Sequence, residues 1–251
     1  MPETIELDID GRGVATIRLN RPDKGNALNA QMLRELHDAF GELAQDETVR
    51  MLILRGAGKH FCAGADLGGR EDAPPRVSLA DALRRLDAFP KPVIAVIQRG
   101  CVGAGLAIAS CCDVVLALED AFFAVPEVRL GIAPSYELSQ YFLRVLGPRG
   151  FRRYGLSGER IGAEVALRLG LAHEVFGETD MQLCLERLVE DFMHAAPQAS
   201  AVLKERIARL ATGEPPPATG QEPRGLGRSP ESLEGVAAYR EKRKPNWYRP
   251  A

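Results

Sequence analysis

A charge excess of either sign is missing from this 251-residue sequence. Thirty-two Lys and Arg stand against 34 Asp and Glu, a net charge of −2. A groove for nucleic acid normally shows as a strong positive excess, so the balance argues against that partner. No stretch approaches the ~18 uninterrupted apolar residues that a membrane span needs. Residues 1–5 lack a basic region followed by an apolar one, so no secretory signal is read. The cysteines (Cys62, Cys101, Cys111, Cys112, Cys184) are odd in number and form no Cys-x-x-Cys pair. The histidines (His37, His60, His173, His194) are scattered. Neither a disulfide framework nor a metal site is expected. These absences lead to the expectation of a reduced, cytoplasmic protein. Aromatics are sparse at 6%, yet hydrophobic residues reach 45%, as in an ordinary globular chain. The length gives room for one large domain or two small ones. A chain of this size buries roughly 70–75% of its unfolded surface, so its core can be large.

Glycine and proline, by contrast, are plentiful at 25 and 17. Residues 4–10 alternate, with Ile5, Leu7 and Ile9 against Glu6, Asp8 and Asp10, which predicts a half-buried strand. A turn at 10–13 leads to a second strand, 14–19, completing a hairpin. Residues 20–26 are a breaker-rich loop. Asn29 is placed to cap a helix to about Ala44, with Met32, Leu33, Leu36, Phe40 and Leu43 on one face. Residues 49–55 read as an apolar strand, and Ser78 as the cap of a helix to about Phe89. The β-branched run 93–97 predicts a strand buried on both faces. Residues 100–107 lead as a turn into a short small-residue helix, and strands follow at 113–118 and 122–125. Strands alternating with helices predict an α/β domain over about 1–155. Later periodicity is helical over 135–146, 148–155, 163–169, 180–194, 197–211 and 231–243, with a short strand near 172–176. Residues 72–75 read as a mobile linker. Residues 212–230, dense in Pro, Gly and polar side chains, read as irregular.

Three segments are candidates for chemistry: 60–67 (His-Phe-Cys-Ala-Gly-Ala-Asp-Leu), 99–107 (Arg-Gly-Cys-Val-Gly-Ala-Gly-Leu-Ala) and 125–134 (Val-Pro-Glu-Val-Arg-Leu-Gly-Ile-Ala-Pro). The first two are small-residue turns after strands, each able to aim a backbone N–H at a ligand that approaches closely. Two convergent N–H donors stabilise an oxygen that gains negative charge. A carboxylate held nearby supplies general acid or base catalysis. Together these parts suit polarising a carbonyl and moving an α-proton. The alternative is that each segment is only a turn and Glu127 only a solvated loop residue. Residues 103–105 have the wrong spacing for a dinucleotide fingerprint.

These segments, in this order, resemble the enoyl-CoA hydratase/isomerase (crotonase) superfamily. The similarity extends to 19–28 (Leu-Asn-Arg-Pro-Asp-Lys-Gly-Asn-Ala-Leu), to 157–158 with 163–171, and to 241–247, so it covers nearly the whole chain. The resemblance implies an α/β, crotonase-like (ClpP/crotonase) spiral of ββα units over residues 1–195, holding an acyl-CoA site. It implies a C-terminal helical trimerisation region over 196–251, with the Pro/Gly-rich irregular stretch at 212–230. It further implies a homotrimer or a hexamer built as a dimer of trimers, with a coenzyme A thioester as substrate and no bound prosthetic group.

Carried over by position, the resemblance puts one oxyanion-binding N–H on Ala65. It puts the other on Ala104, where the family more often has glycine. Lys24, Ala27 and Leu28, with Ala63, Asp66 and Leu67, match the region that holds the CoA adenine and phosphates. Lys24 also reads as a solvated loop lysine. Of the two glutamates usual in hydratases, one matches Glu127 and the other falls at Ala107. Isomerases of the family manage with one glutamate here, whereas 127–134 and 241–247 are similar to branched glutaconyl-CoA hydratases. The implied activity is therefore hydration of an enoyl-CoA, by a lyase. One alternative is enoyl-CoA isomerisation by a single glutamate. Another is a binding protein that kept the fold and lost catalysis. Glu137 is a candidate second acid, or simply a first-turn glutamate that favours the helix dipole. Tyr136 and Tyr141 are candidates for the acyl pocket, or helical packing. Arg240, Lys242, Arg243 and Lys244 are placed either to reach a CoA phosphate or to form a solvated basic helix end. Cys62, Cys101 and Cys111 are expected to be buried packing groups.

Overall fold

The computed structural model describes residues 4–68, 76–211, 213 and 229–250. The linker expected at 72–75 lies outside them, as does the stretch expected at 212–230, apart from Gly213, Ser229 and Pro230. The hairpin forms, but the half-burial read from the alternation holds only at Ile5, since Leu7 and Ile9 are exposed on this outermost strand of the sheet. Strand β1 (Ile5–Ile9) runs antiparallel to β2 (Val14–Leu19), with Ile5 opposite Leu19. Asp10 ties the turn, its Oδ1 accepting the Arg12 and Val14 N–H groups at 2.9 Å. Beyond the hairpin every neighbour in the sheet is parallel. Strands β3 (Met51–Gly56), β4 (Val93–Ile97), β6 (Val114–Leu118) and β9 (Glu174–Phe176) extend it in the order β1-β2-β3-β4-β6-β9.

Parallel neighbours need crossovers, and helices supply them. Helix α1 (Ala30–Gln45) joins β2 to β3, and α2 (Leu79–Asp87) lies between β3 and β4. The Asn29 side chain caps α1 by accepting from the Met32 N–H at 2.9 Å. Ser78 and Asp81 form a reciprocal capping box on α2. Between β4 and β6 the chain makes strand β5 (Gly100–Val102) and the seven-residue helix α3 (Ala104–Ser110). β5 joins β7 (Phe122–Ala124) and β8 (Ile161–Gly162) in a second, small sheet. Helices α4 (Tyr136–Ser157), α5 (Ala163–Leu169), α6 (Glu178–His194), α7 (Pro197–Ala211) and α8 (Pro230–Glu241) follow.

All five residues of β4 are buried, as its unbroken apolar run requires. Ile17, Leu52, Leu54, Ala95 and Ile97 pack toward α1, α2 and α3. The alternate residues Met51, Ile53, Ile94, Val96 and Leu116 pack against Met181, Leu185, Val189 and Met193 of α6. Among the described residues no helix is long and apolar enough to cross a membrane.

Two further local differences from the sequence reading have simple causes. Residues 100–102, read as part of a turn, are β5, a strand too short to display a period. The two helices expected at 135–146 and 148–155 are the two arms of α4. They meet at Gly147, whose φ of 63° breaks the helix just before Pro148.

Phe40 of α1 is 1% exposed within the larger core. Phe40→Ala is expected to lower unfolding stability by about 3–5 kcal/mol, measured from the urea midpoint. An unchanged midpoint contradicts this packing.

Candidate active site

Four loops at the carboxyl ends of the strands are tied in series by backbone hydrogen bonds. The loop after β2 meets the loop after β3 through three of them. Ala63 N–H donates to the Gly25 carbonyl at 2.9 Å, Leu28 N–H to Gly64 at 2.8 Å, and Asp66 N–H to Leu28 at 2.9 Å. The loop after β3 meets β5 through Cys62 N–H to Gly100 and Val102 N–H to Cys62, both 3.0 Å. β5 meets the end of β7 through Gly103 N–H to Ala124 at 2.9 Å. Glu127 opens a short 3-10 turn, 127–130, three residues after Ala124.

Side chains reinforce these ties. Asn26 is fully buried at φ 57°, a conformation that asparagine tolerates. Its Oδ1 accepts the Arg21 N–H at 2.9 Å. Its Nδ2 donates to the Ala57 and His60 carbonyls at 2.9 and 2.7 Å. Arg21 reaches the Ala27 carbonyl and binds the Asp66 carboxylate at 2.8 Å. This pairing, before the Gly68 N–H, holds the Asp66 carboxyl below its usual range. His60 Nδ1 accepts the Gly100 N–H at 3.2 Å. The His60 pKa lies below its ordinary value, first through burial and then through Lys59, Arg99 and Arg160, with Asp120 opposing. Asn26 and Arg21 did not emerge from the sequence reading as site residues, and His60 entered it only as the first residue of the 60–67 segment, with no role. The signal available was an asparagine beside a glycine in a breaker-rich loop.

The Ala65 and Ala104 N–H groups donate to no acceptor among the described residues. Leu28 and Ala65 form a parallel bridge that uses the Leu28 and Asp66 N–H groups, which leaves that of Ala65 outside the pairing. Ala104 is the first residue of α3, where an N–H has no intrahelical partner. The two loops touch at Gly64, which has φ 103°. A Cβ there would lie 3.1 Å from the Val102 carbonyl oxygen and 3.9 Å from the Ala104 nitrogen.

Glu127 lies against this junction. A Cβ on Gly103, which has φ 51°, would stand 2.8 Å from Glu127 Oε1, so the missing side chain makes room for the carboxylate. Oε2 is buried and has no hydrogen-bond partner among the described residues. Burial pushes the Glu127 pKa up, and only its own backbone N–H opposes the shift. Among the described residues no second carboxylate acts on it. Ala107 is fully buried in the core, one turn along α3 from Gly103. Glu137 is instead paired with Arg84 at 2.5 Å.

The remaining candidates are dispersed. Lys24 is exposed in a 3-10 turn at Pro22–Lys24, Leu67 is exposed, Ala63 is exposed and Leu28 is buried. Tyr136 is 86% exposed, whereas Tyr141 is buried in the core with Arg144 over its ring. Arg243 is held by Glu234 and Glu241. Cys62, Cys101 and Cys111 are buried free thiols, and burial pushes Cys62 up to about 12. Among the described residues no group of His, Cys, Asp and Glu is arranged to hold a metal ion.

The chain is similar in sequence and fold to known proteins. An enoyl-CoA hydratase of Alternaria alternata is 33% identical over 92% of this chain and 80% of its own length. The mitochondrial Delta(3,5)-Delta(2,4)-dienoyl-CoA isomerase of Rattus norvegicus is 34% identical over 72% of this chain and 61% of its own. The crystal structure of an enoyl-CoA hydratase/carnithine racemase from Magnetospirillum magneticum superposes with a TM-score of 0.89 at 34% identity. That match covers 98% of this chain and 95% of the other. Residues 10–250 match the enoyl-CoA hydratase/isomerase family, and with this fold and these loops the chain belongs to that family, the crotonase superfamily.

Proposed function

We propose that the chain binds an enoyl-CoA thioester and passes it through an enolate, with Glu127 as the proton-transfer group. The observation that carries this reading is half-buried Glu127, whose Oε2 is buried without a partner and whose Oε1 lies against Gly103, the residue before the uncommitted Ala104 N–H. The thioester oxygen sits between the Ala65 and Ala104 N–H groups, which stabilise the charge it gains. Glu127 takes a proton from the carbon next to the thioester carbonyl. With no second carboxylate acting beside it, the simplest completion is return of that proton at the γ-carbon, which shifts the double bond. Hydration is the second reading. It is favoured by the hydratase relative from Alternaria alternata, and it requires Glu127 both to activate water and to protonate the α-carbon. Lys24, Ala27, Leu28, Ala63, Asp66 and Leu67 border the CoA path, Asp66 acting through its pairing with Arg21. Of the two tyrosines only exposed Tyr136 is free to face the acyl side, Tyr141 being packed in the core, and Glu137 assists only if released from Arg84. The helices after residue 195 are assigned to trimer contacts, where Leu203, Ile207 and Leu210 of α7 are exposed.

Glu127→Gln is expected to cut turnover by about 10²–10⁴-fold while CoA-thioester binding persists. Near-wild-type turnover refutes the role. The same variant tests the raised pKa. The folded protein keeps a proton on Glu127 that the unfolded chain releases near its ordinary value of 4.5. Stability therefore falls as pH rises from there through the folded-state value. Above that range Glu127→Gln is expected to melt at a higher temperature than the parent, read by calorimetry.

Product mass separates the two readings. An unchanged mass with a moved double bond means isomerisation, and a gain of water means hydration. No change across a broad enoyl-CoA panel favours a scaffold. If the missing carboxylate alone limits hydration, Ala107→Glu raises water addition. A folded Ala107→Glu protein with no added hydration excludes that explanation.

A further inference from the structure

His60 touches more of the site than any role given to it so far explains. Its carbonyl accepts from Asn26 Nδ2 at 2.7 Å, which ties it to the loop after β2. Its ring lies beside Gly25, where a Cβ would be 3.8 Å from His60 Cδ2. On the other side the ring packs on Gly100, where a Cβ would be 2.9 Å from Nδ1, and Nδ1 accepts the Gly100 N–H. Gly100 begins β5, and β5 ends directly before Gly103 and Ala104. The opposite side of Gly100 is bonded through its carbonyl to Cys62, in the loop that carries Ala65.

We infer that neutral His60 is a positioning residue that holds the Ala65 and Ala104 N–H groups in register through its hydrogen bond from Gly100. This inference rests on the enolate reading of the site. An N–H can donate to Nδ1 only when Nδ1 is unprotonated, so the working tautomer carries its hydrogen on Nε2. Protonation removes the acceptor and sets an imidazolium among Lys59, Arg99 and Arg160, against Asp120 alone. Arg99 is itself held at φ 44° immediately before Gly100, with its guanidinium 3.1 Å from Asp120. The segment has little slack to absorb a lost bond.

The test compares His60→Ala and His60→Asn with the parent. Asparagine places an acceptor oxygen close to the position of Nδ1 and does not titrate. His60→Ala is expected to lower kcat at least tenfold with KM changed less. His60→Asn is expected to recover most of that loss. In the parent, kcat falls on the acid side through two groups, Glu127 and His60, so the limiting slope of log kcat against pH approaches two. In His60→Asn it falls to one. The Gly100 amide resonance titrates with the His60 ring in the parent and stays fixed in His60→Asn. A parent-like kcat in folded His60→Ala, or an unchanged slope in His60→Asn, overturns the inference. The amide titration needs no turnover, so it decides the hydrogen bond even if Glu127→Gln shows the enolate reading to be wrong.

Discussion

The site depends on one constraint: four loops, far apart in sequence, are hydrogen-bonded to each other edge to edge. Gly25 to Ala63, Gly64 to Leu28, Cys62 to Gly100 and Gly103 to Ala124 form a continuous chain of backbone bonds. Each link fixes the next, so the Ala65 N–H, the Ala104 N–H and the Glu127 carboxylate share one rigid frame. Preorganised donors of this kind stabilise developing charge without a reorganisation cost at the moment of reaction. The small residues along the frame serve it directly. Gly105 is one example, since a Cβ there would lie 2.7 Å from the Cys62 Cβ.

The frame also accounts for a polar arrangement that is costly for stability. A buried carboxylate oxygen without a partner opposes folding, as does the N–H of buried Ala104 left without an acceptor. The fold tolerates both because the sheet beneath them is packed on both faces, by α1 to α3 on one side and α6 on the other. Buried Asn26, with three hydrogen bonds, shows the opposite pattern and serves as a joint. Satisfied polar groups hold the loops, and the unsatisfied ones are where a ligand's oxygen and proton would go.

Much of this was legible in the residues. Alternation placed β1 and β2 in the chain but not the exposure of Leu7 and Ile9, and the caps Asn29 and Ser78 fall where their side chains predict. The Gly147-Pro148 pair accounts for the break in α4. Small-residue turns after β3 and β4 marked the two segments, because their chemistry lies in the backbone and in side-chain absence, and the family resemblance named Ala65 and Ala104 within them. Glu127 was nameable through its family-like context. Its environment was not, because the carboxylate lies against Gly103, in a turn that belongs to a different strand. The roles of Arg21, Asn26 and His60 stayed hidden for the same reason. An arginine, an asparagine and a histidine in loops carry no periodicity, and their partners lie 5 to 45 positions away.

The sequence by itself determined the element order, the buried central strands and the family whose motifs it carries. It did so because periodicity, caps and turn residues act over a few neighbouring positions. The tertiary structure decided which carboxylate stands alone and which is already paired. Glu127 and Glu137 are ten residues apart and chemically identical. Glu127 is closed in beside Gly103, whereas Glu137 meets Arg84 across the surface. A carboxylate's role is set by desolvation and by the nearest charge, and both are properties of the packed chain.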